Sequence, residues 1–242
     1  MTAPDMGDGS ALVLHGRSAH VLAVYEPAAP CLSPEERARA ARLPPAARRD
    51  FTAAHLLIRH CAAAFLGTPA HGLDVVQRCA HCRGPHGRPT LRQVPRLYVT
   101  LSHCAGHVAA AASWHPVGVD VERLPPGPGW RRAGARSLTR AESALVARAP
   151  CPPAAFLRQW VRKEALVKAG SAHLGGLRRV DLSELPVDDL HGGPLVRRSR
   201  WRGWSVMDWR DGGEAGVVGA AVSCGAPRLL TVSGERDPRR GP

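Results

Sequence analysis

Long helical periodicity occurs in two places in this chain, and those two places constrain its architecture. Phe51, Ala54, Ile58, Cys61 and Phe65 recur at three- and four-residue steps, which predicts a helix with one buried face, ended by Gly67. Leu157, Trp160, Val161, Glu164, Ala165 and Lys168 form one stripe of a second helix, from about Pro153 to Ala169 and closed by Gly170. The rest is short runs. Ala11 to Leu14 and Val21 to Tyr25 predict two paired strands, and Leu97 to Leu101, Val108 to Ala112 and Val117 to Val121 predict a three-stranded meander. Trp204 to Trp209, Ala215 to Val222 and Leu229 to Val232 alternate with glycine-rich turns. Ser33-Pro34-Glu35-Glu36 opens a short helix, and Thr139-Arg140-Ala141-Glu142 is a capping box that opens another. Each half owns a sheet and a long helix. The expected class is α+β: two similar α/β halves, a pseudo-dimer, each a small antiparallel sheet packed on a long helix. The expected division is 1–115 and 116–242.

No apolar run is long enough to cross a bilayer: Ala62 to Leu66 is cut off by Gly67 and Pro69. Met1 to Ser10 carries Asp5 and Asp8 and no basic residue, the opposite of a secretory n-region. With seven cysteines in no framework of spacings, the expectation is a cytoplasmic protein with reduced thiols and no membrane contact. The net charge of +13 favours acidic partners. An Ala-, Arg-, Gly- and Pro-rich composition inflates arginine on its own, so the charge does not choose among such partners. The arginines are dispersed with no aromatic-interleaved basic run, which argues against nucleic acid.

The chain has two lysines, Lys163 and Lys168, five residues apart. Lysine is the compact point charge of the two cations. Lys168 stands four residues after Glu164 on the stripe that Trp160 marks as core-facing. A Glu–Lys pair on a helix is commonly a surface pair, but a carboxylate facing a core needs a cation to offset its desolvation. In Val117-Gly118-Val119-Asp120-Val121-Glu122, Asp120 and Glu122 project from one strand face. Acidic residues at a strand end are ordinary. Taken with Glu164, however, they make a candidate three-carboxylate magnesium site, the hard-oxygen donor set that Mg²⁺ takes beside substrate phosphates. Gly84-Pro85-His86-Gly87-Arg88-Pro89 is a backbone-exposed turn holding a cation, and Ser102-His103 follows in a predicted strand. Such groups contact anions, though a turn with an arginine is most often only a turn.

The order Gly87-Arg88-Pro89, Leu101-Ser102-His103, Val117-Gly118-Val119-Asp120-Val121-Glu122 and Trp160-x-x-Lys163-Glu164-Ala165-x-x-Lys168 resembles the surfactin-type 4′-phosphopantetheinyl transferases. The resemblance spans roughly residues 31 to 222 and takes in the Leu32 to Arg37 helix start. It implies transfer of the phosphopantetheine arm of coenzyme A to a serine of an acyl or peptidyl carrier protein, releasing adenosine 3′,5′-bisphosphate. Carried over by motif, Asp120, Glu122 and Glu164 would hold Mg²⁺, with Glu122 the least secure. Glu164, directly or through metal-bound water, would take the proton from the carrier serine, and Lys168 would neutralise the breaking pyrophosphate. Arg39, Gly87, Arg88, Pro89, Ser102, His103 and Lys168 would hold coenzyme A. The implied protein is a monomer whose partner is an acidic carrier. The competing reading is a Mg²⁺-dependent nucleotide or pyrophosphate hydrolase using the same carboxylates.

Thr100-Leu101-Ser102-His103-Cys104 stands where the family commonly has Asn-h-Ser-His-Ser (h, an apolar residue). Ser171-Ala172-His173-Leu174 separates Lys168 from Gly175-Gly176, which reshapes the pocket rim. Cys79-Ala80-His81-Cys82 with His86 has a metal-ligand spacing, but no second C-x-x-C follows. Reduced thiols beside the nucleotide pocket are expected there rather than structural zinc.

Overall fold

The structure is a computed structural model and describes residues 10–25, 32–79, 82, 84, 87–124, 127–187, 195–211 and 216–233. The chain runs β1 (Ala11–Arg17), α1 (Ser18–Tyr25), α2 (Pro34–Ala41), α3 (Pro45–Leu66), β2 (Val75–Gln77), β3 (Pro89–Leu91), β4 (Tyr98–Cys104), β5 (His107–Ser113) and β6 (Val117–Arg123). It continues through α4 (Trp130–Ser137), α5 (Arg140–Arg148), α6 (Pro152–Ala169), β7 (Val196–Trp201), β8 (Trp204–Arg210), β9 (Val217–Ser223) and β10 (Pro227–Val232). One four-stranded sheet has the order β10-β1-β5-β4, a second the order β6-β9-β8-β7, and β2 and β3 form a small ribbon. The class is α+β.

Period-2 alternation sorts the strands into layers. Leu12 and Leu14 join Leu57, Ile58, Cys61 and Phe65 of α3 in one core. Ala11 and Val13, pointing the other way, meet Val119 and Val121 of β6 with Met207 and Trp209 of β8. Val206, Val218, Ala220 and Val222 pack on Leu157, Val161 and Ala165 of α6. The order through the molecule is thus α3, first sheet, second sheet, α6. Both long helices stop as the sequence indicates: Gly67 and Gly170 sit at φ 68° and 84° and donate back to the last turn. Capping boxes close the starts of α2 at Ser33–Glu36 and α5 at Thr139–Glu142.

Three local expectations are corrected. Val21 to Tyr25 is helical, because Val21 is buried against α3 and Tyr25 stacks on His60 at 3.9 Å; tertiary packing overrides the β preference of these residues. The meander breaks after two strands. Pro116 precedes β6, which leaves the first sheet and pairs with β9, Val117 opposite Ser223. The first sheet is not purely antiparallel, since β10 returns to lie parallel to β1, Ala11 opposite Pro227 and Gly16 opposite Val232. Nothing local in Leu229 to Val232 encodes that return; the open edge of β1 does.

The stripe on α6 also understated its burial. Arg158, Gln159, Arg162 and Lys163 are buried although they lie off it, while Trp160 is only half-buried. Asp208 of β8 takes Arg158 on Oδ1 and Arg162 on Oδ2. Lys163 is 0% exposed, its Nζ 2.6 Å from Glu142 Oε2 and donating to the carbonyls of Ser137, Leu177 and Val180 at 2.7–2.8 Å. Lys163 therefore fastens α4, α5 and the short 3₁₀ turn at Leu174–Arg179 to α6.

Candidate active site

β6 lies against α6 because position 118 has no side chain: a Cβ there would stand 1.8 Å from the carbonyl oxygen of Ala165. That approach sets Asp120, two residues further on the same face, beside the last turn of α6. Lys168 Nζ donates to Asp120 Oδ1 at 2.7 Å and to the Leu101 carbonyl at 3.4 Å. Ser102 donates to the same Oδ1 at 2.7 Å. Leu101 and Ser102 belong to β4, so this junction ties the first sheet to the second.

Asp120 is 3% exposed, and its Oδ2 is buried with no hydrogen-bond partner among the described residues. Glu122 and Glu164 are half-buried nearby. Burial raises the Glu122 carboxyl to about 7, the charges of Asp120 and Glu164 adding to it and Lys168 opposing. Burial also raises Glu164, with the Asp120 charge adding and Lys168 opposing. Among the described residues no three His, Cys, Asp or Glu side chains stand in a ready metal-holding cluster. The chemistry of the set nevertheless fits a hard divalent cation: an unsatisfied buried oxygen, and two carboxylates that repel Asp120 and each other. Asp120, Glu122 and Glu164 are the residues that would hold it.

The site opens into a cavity of about 310 Å³ lined by Gln77, Gly87, Arg88, Pro89, Leu101 and Lys168, among others. The Gly87-Arg88-Pro89 stretch and Lys168, far apart in sequence, thus wall one space. The Arg88 guanidinium lies 4.3 Å from the Tyr98 ring centre. Arg39 lines a neighbouring cavity of about 490 Å³, which shares Gln77 with the first. His103 is exposed on β4; desolvation of its ring lowers its pKa, Asp50 opposing and His55, Lys168 and Arg39 lowering it further. His103 therefore lies within the field of both Arg39 and Lys168. Pro85 and His86 of the turn lie outside the described residues.

Sequence reading missed three features. The Ser102 hydroxyl is engaged with Asp120 rather than directed to the cavity. Gln77 links the two cavities. On the wall of the larger one, Glu36 takes both Arg59 Nη1 and Nη2, at 3.0 and 2.7 Å, with His55 Nδ1 at 2.6 Å. A Glu at the third position of a capping box reads as a cap, and nothing local signals Arg59 arriving from 23 residues away.

The family model of the 4′-phosphopantetheinyl transferase superfamily (ACPS) matches residues 116–218. No curated protein matches the chain. The matched stretch runs from the start of β6 into β9 and contains Asp120, Glu122, Glu164 and Lys168. The match and the motif resemblance overlap in this stretch, from the Val117 to Glu122 strand through the Trp160 to Lys168 helix. Among the described residues no helix is long and apolar enough to cross a membrane.

Proposed function

We propose that this protein transfers 4′-phosphopantetheine from coenzyme A to a serine of an acidic acyl or peptidyl carrier protein, releasing adenosine 3′,5′-bisphosphate. The observation that carries the reading is the Asp120 junction. A buried carboxylate is held by Lys168 and Ser102 and keeps one oxygen unpartnered, and the same Lys168 lines a cavity with Arg88. A magnesium ion at Asp120, Glu122 and Glu164 would supply charge neutralisation on the pyrophosphate.

The protein's own groups do the positioning and the proton work. Arg88 and the Gly87 backbone hold phosphate oxygens in the cavity, Arg39 adds positive charge on the Gln77 side, and His103 offers a neutral ring N–H donor. Glu164 takes the proton from the carrier serine as its oxygen attacks the phosphorus bearing the pantetheine arm. A carboxyl held above its ordinary range is the stronger base. The bond from that phosphorus to the bisphosphate breaks, and Lys168 meets the charge that grows on the leaving oxygen. Ser102 and Leu101 aim Lys168 and Asp120 for that task.

The test is mass spectrometry of an apo-carrier incubated with coenzyme A, Mg²⁺ and the protein. The expected product is the carrier carrying one phosphopantetheine group, formed with wild type and lost with Asp120→Asn. An unmodified carrier with coenzyme A cleaved would establish a hydrolase instead. Unmodified carriers of every class with coenzyme A intact would refute the reading.

A further inference from the structure

A carboxylate beside a phosphate site repels the anion it meets, so an acid kept there needs another reason. Asp50 of α3 is such a group. It is buried, and its charge acts on His103. Desolvation lowers the pKa of that ring, Asp50 opposes this, and His55, Lys168 and Arg39 lower it further. Among the described residues acting on the ring, Asp50 thus brings the negative charge, against His55 of its own helix, Arg39 of α2 and Lys168 of α6. On charge alone Asp50 would weaken the binding of coenzyme A.

Its hydrogen bonds give the other reason. A two-residue turn, Ala105-Gly106, joins β4 to β5 between the paired Cys104 and His107. Gly106 takes φ +79°, a conformation open to glycine. Both Asp50 oxygens accept the Gly106 N–H at 3.2 Å, and Oδ1 also accepts the Ser18 hydroxyl at 2.6 Å. The Ser18 N–H in turn donates to the Gly106 carbonyl at 2.8 Å. From the second sheet Arg123, the residue after Glu122, donates Nε and Nη2 to the Ala105 carbonyl at 3.2 and 3.0 Å. The turn that begins two residues after His103 is therefore held by α3, by the start of α1 and by β6.

We propose that Asp50 is a positioning residue for coenzyme A: by gripping the Ala105-Gly106 turn it fixes the end of β4, and with it the place where the His103 ring N–H meets a phosphate oxygen. This role rests on coenzyme A being the ligand of the cavity. The grip accounts for an acid kept where its charge is adverse, because hydrogen bonds to an ionised oxygen are the strong ones. A neutral acceptor would hold the same turn less firmly.

The experiment is calorimetric titration of coenzyme A, with Mg²⁺ present, into the full-length protein and its variants. Asp50→Ala removes charge and grip together and should weaken binding about tenfold, the worth of one hydrogen bond to a charged oxygen. Asp50→Asn removes the charge but keeps an oxygen for both donors, so binding should stay within about threefold of wild type. In a His103→Ala protein, Asp50→Ala should cost less than about twofold, because its effect passes through that ring. NMR of the ¹³C-labelled His103 ring gives a second readout without ligand: its pKa should fall further in Asp50→Asn. If Asp50→Ala does not fold, Ser18→Ala reads the same coupling. It strips one donor from Oδ1, keeps the backbone bond to Gly106, and should weaken coenzyme A about threefold only while His103 is present.

Coenzyme A bound by Asp50→Ala as tightly as by wild type, or more tightly, overturns the proposal, since tightening is what the charge alone predicts. So does an equal loss with and without the His103 ring, which would leave Asp50 a role in the fold only. For a chain in which Asp50→Ala does not fold, unchanged binding by Ser18→Ala does the same. A His103 pKa unmoved by Asp50→Asn puts the ring out of reach of Asp50 and also overturns it. Any of these results in a wild type that binds coenzyme A leaves the proposed function standing. A wild type that binds no coenzyme A refutes that function and the role of Asp50 together.

Discussion

Replacing Gly118 with alanine adds one methyl group and should move the active site apart. The new Cβ would stand 1.8 Å from the Ala165 carbonyl oxygen and 2.7 Å from the Ala169 nitrogen. Carbon–oxygen contact begins near about 3.2 Å, so the strand and helix must separate by roughly 1.4 Å. Both obstacles are helix backbone, and no side-chain rotation relieves them. The 2.7 Å bond between Lys168 and Asp120 spans the same two elements and would open to about 4 Å, past hydrogen-bonding range. Overpacking costs about 1–3 kcal/mol, and a backbone obstacle belongs at the upper end. At about 3 kcal/mol, a chain of this size should melt roughly 6–12 °C lower. Misplacing Lys168 by an ångström should also reduce kcat by about a hundredfold. Calorimetry gives the melting temperature, and carrier modification gives kcat. Gly129→Ala is the control, because nothing lies within 4 Å of its Cβ position. A Gly118→Ala protein with wild-type melting and turnover would refute the argument that close packing at Gly118 assembles the site.

Lys168→Arg keeps the charge but replaces a compact ammonium with a wide guanidinium at an oxygen only 2.7 Å away. The expected loss lies in kcat more than in KM for coenzyme A, nearly as deep as for Lys168→Ala; near wild-type kcat would remove Lys168 from the chemistry. Lys163→Met leaves Glu142 as an uncompensated buried charge and should cost about 3–5 kcal/mol. Adding Glu142→Gln should recover part of that loss, and denaturant titration of the single and double variants measures both. The Glu36 carboxyl is pushed up by burial, but hydrogen bonds from His55 and Arg59 and the Arg59 charge outweigh this and hold it at about 2, against 4.5 when unperturbed. A depressed carboxyl contributes stability that is full above pH 4.5 and lost as the pH falls through 2; the shift is worth about 3 kcal/mol at most. The melting temperature of Glu36→Gln should therefore fall less steeply than wild type across that window, and parallel curves would contradict the ion pair.

What the sequence alone determined is what near neighbours encode. The two long helices, their glycine ends, both capping boxes and most strands follow from periodicity, turn chemistry and caps within a few residues of each position. Asp120 and Glu122 share a face because strands alternate, and Glu164 and Lys168 share one because a helix turns in about four residues. The motif order was legible for the same reason, since each motif is a local run.

Contacts across the chain decided the rest. Val21 to Tyr25 has strand-like composition but lies on α3, and burial there outweighs propensity. The return of β10 to β1 depends on an open edge about two hundred residues earlier, which no local pattern records. The four partners of Lys163, from three separate segments, exist only once α4, α5 and the 3₁₀ turn close over α6. Ser102, which sequence reading directed to phosphate, hydrogen-bonds Asp120 because two sheets meet there. Local rules supply each element with its functional side chains. Which of them meet is fixed by how closely backbones can approach, and at this site that distance is set by the missing Cβ of Gly118.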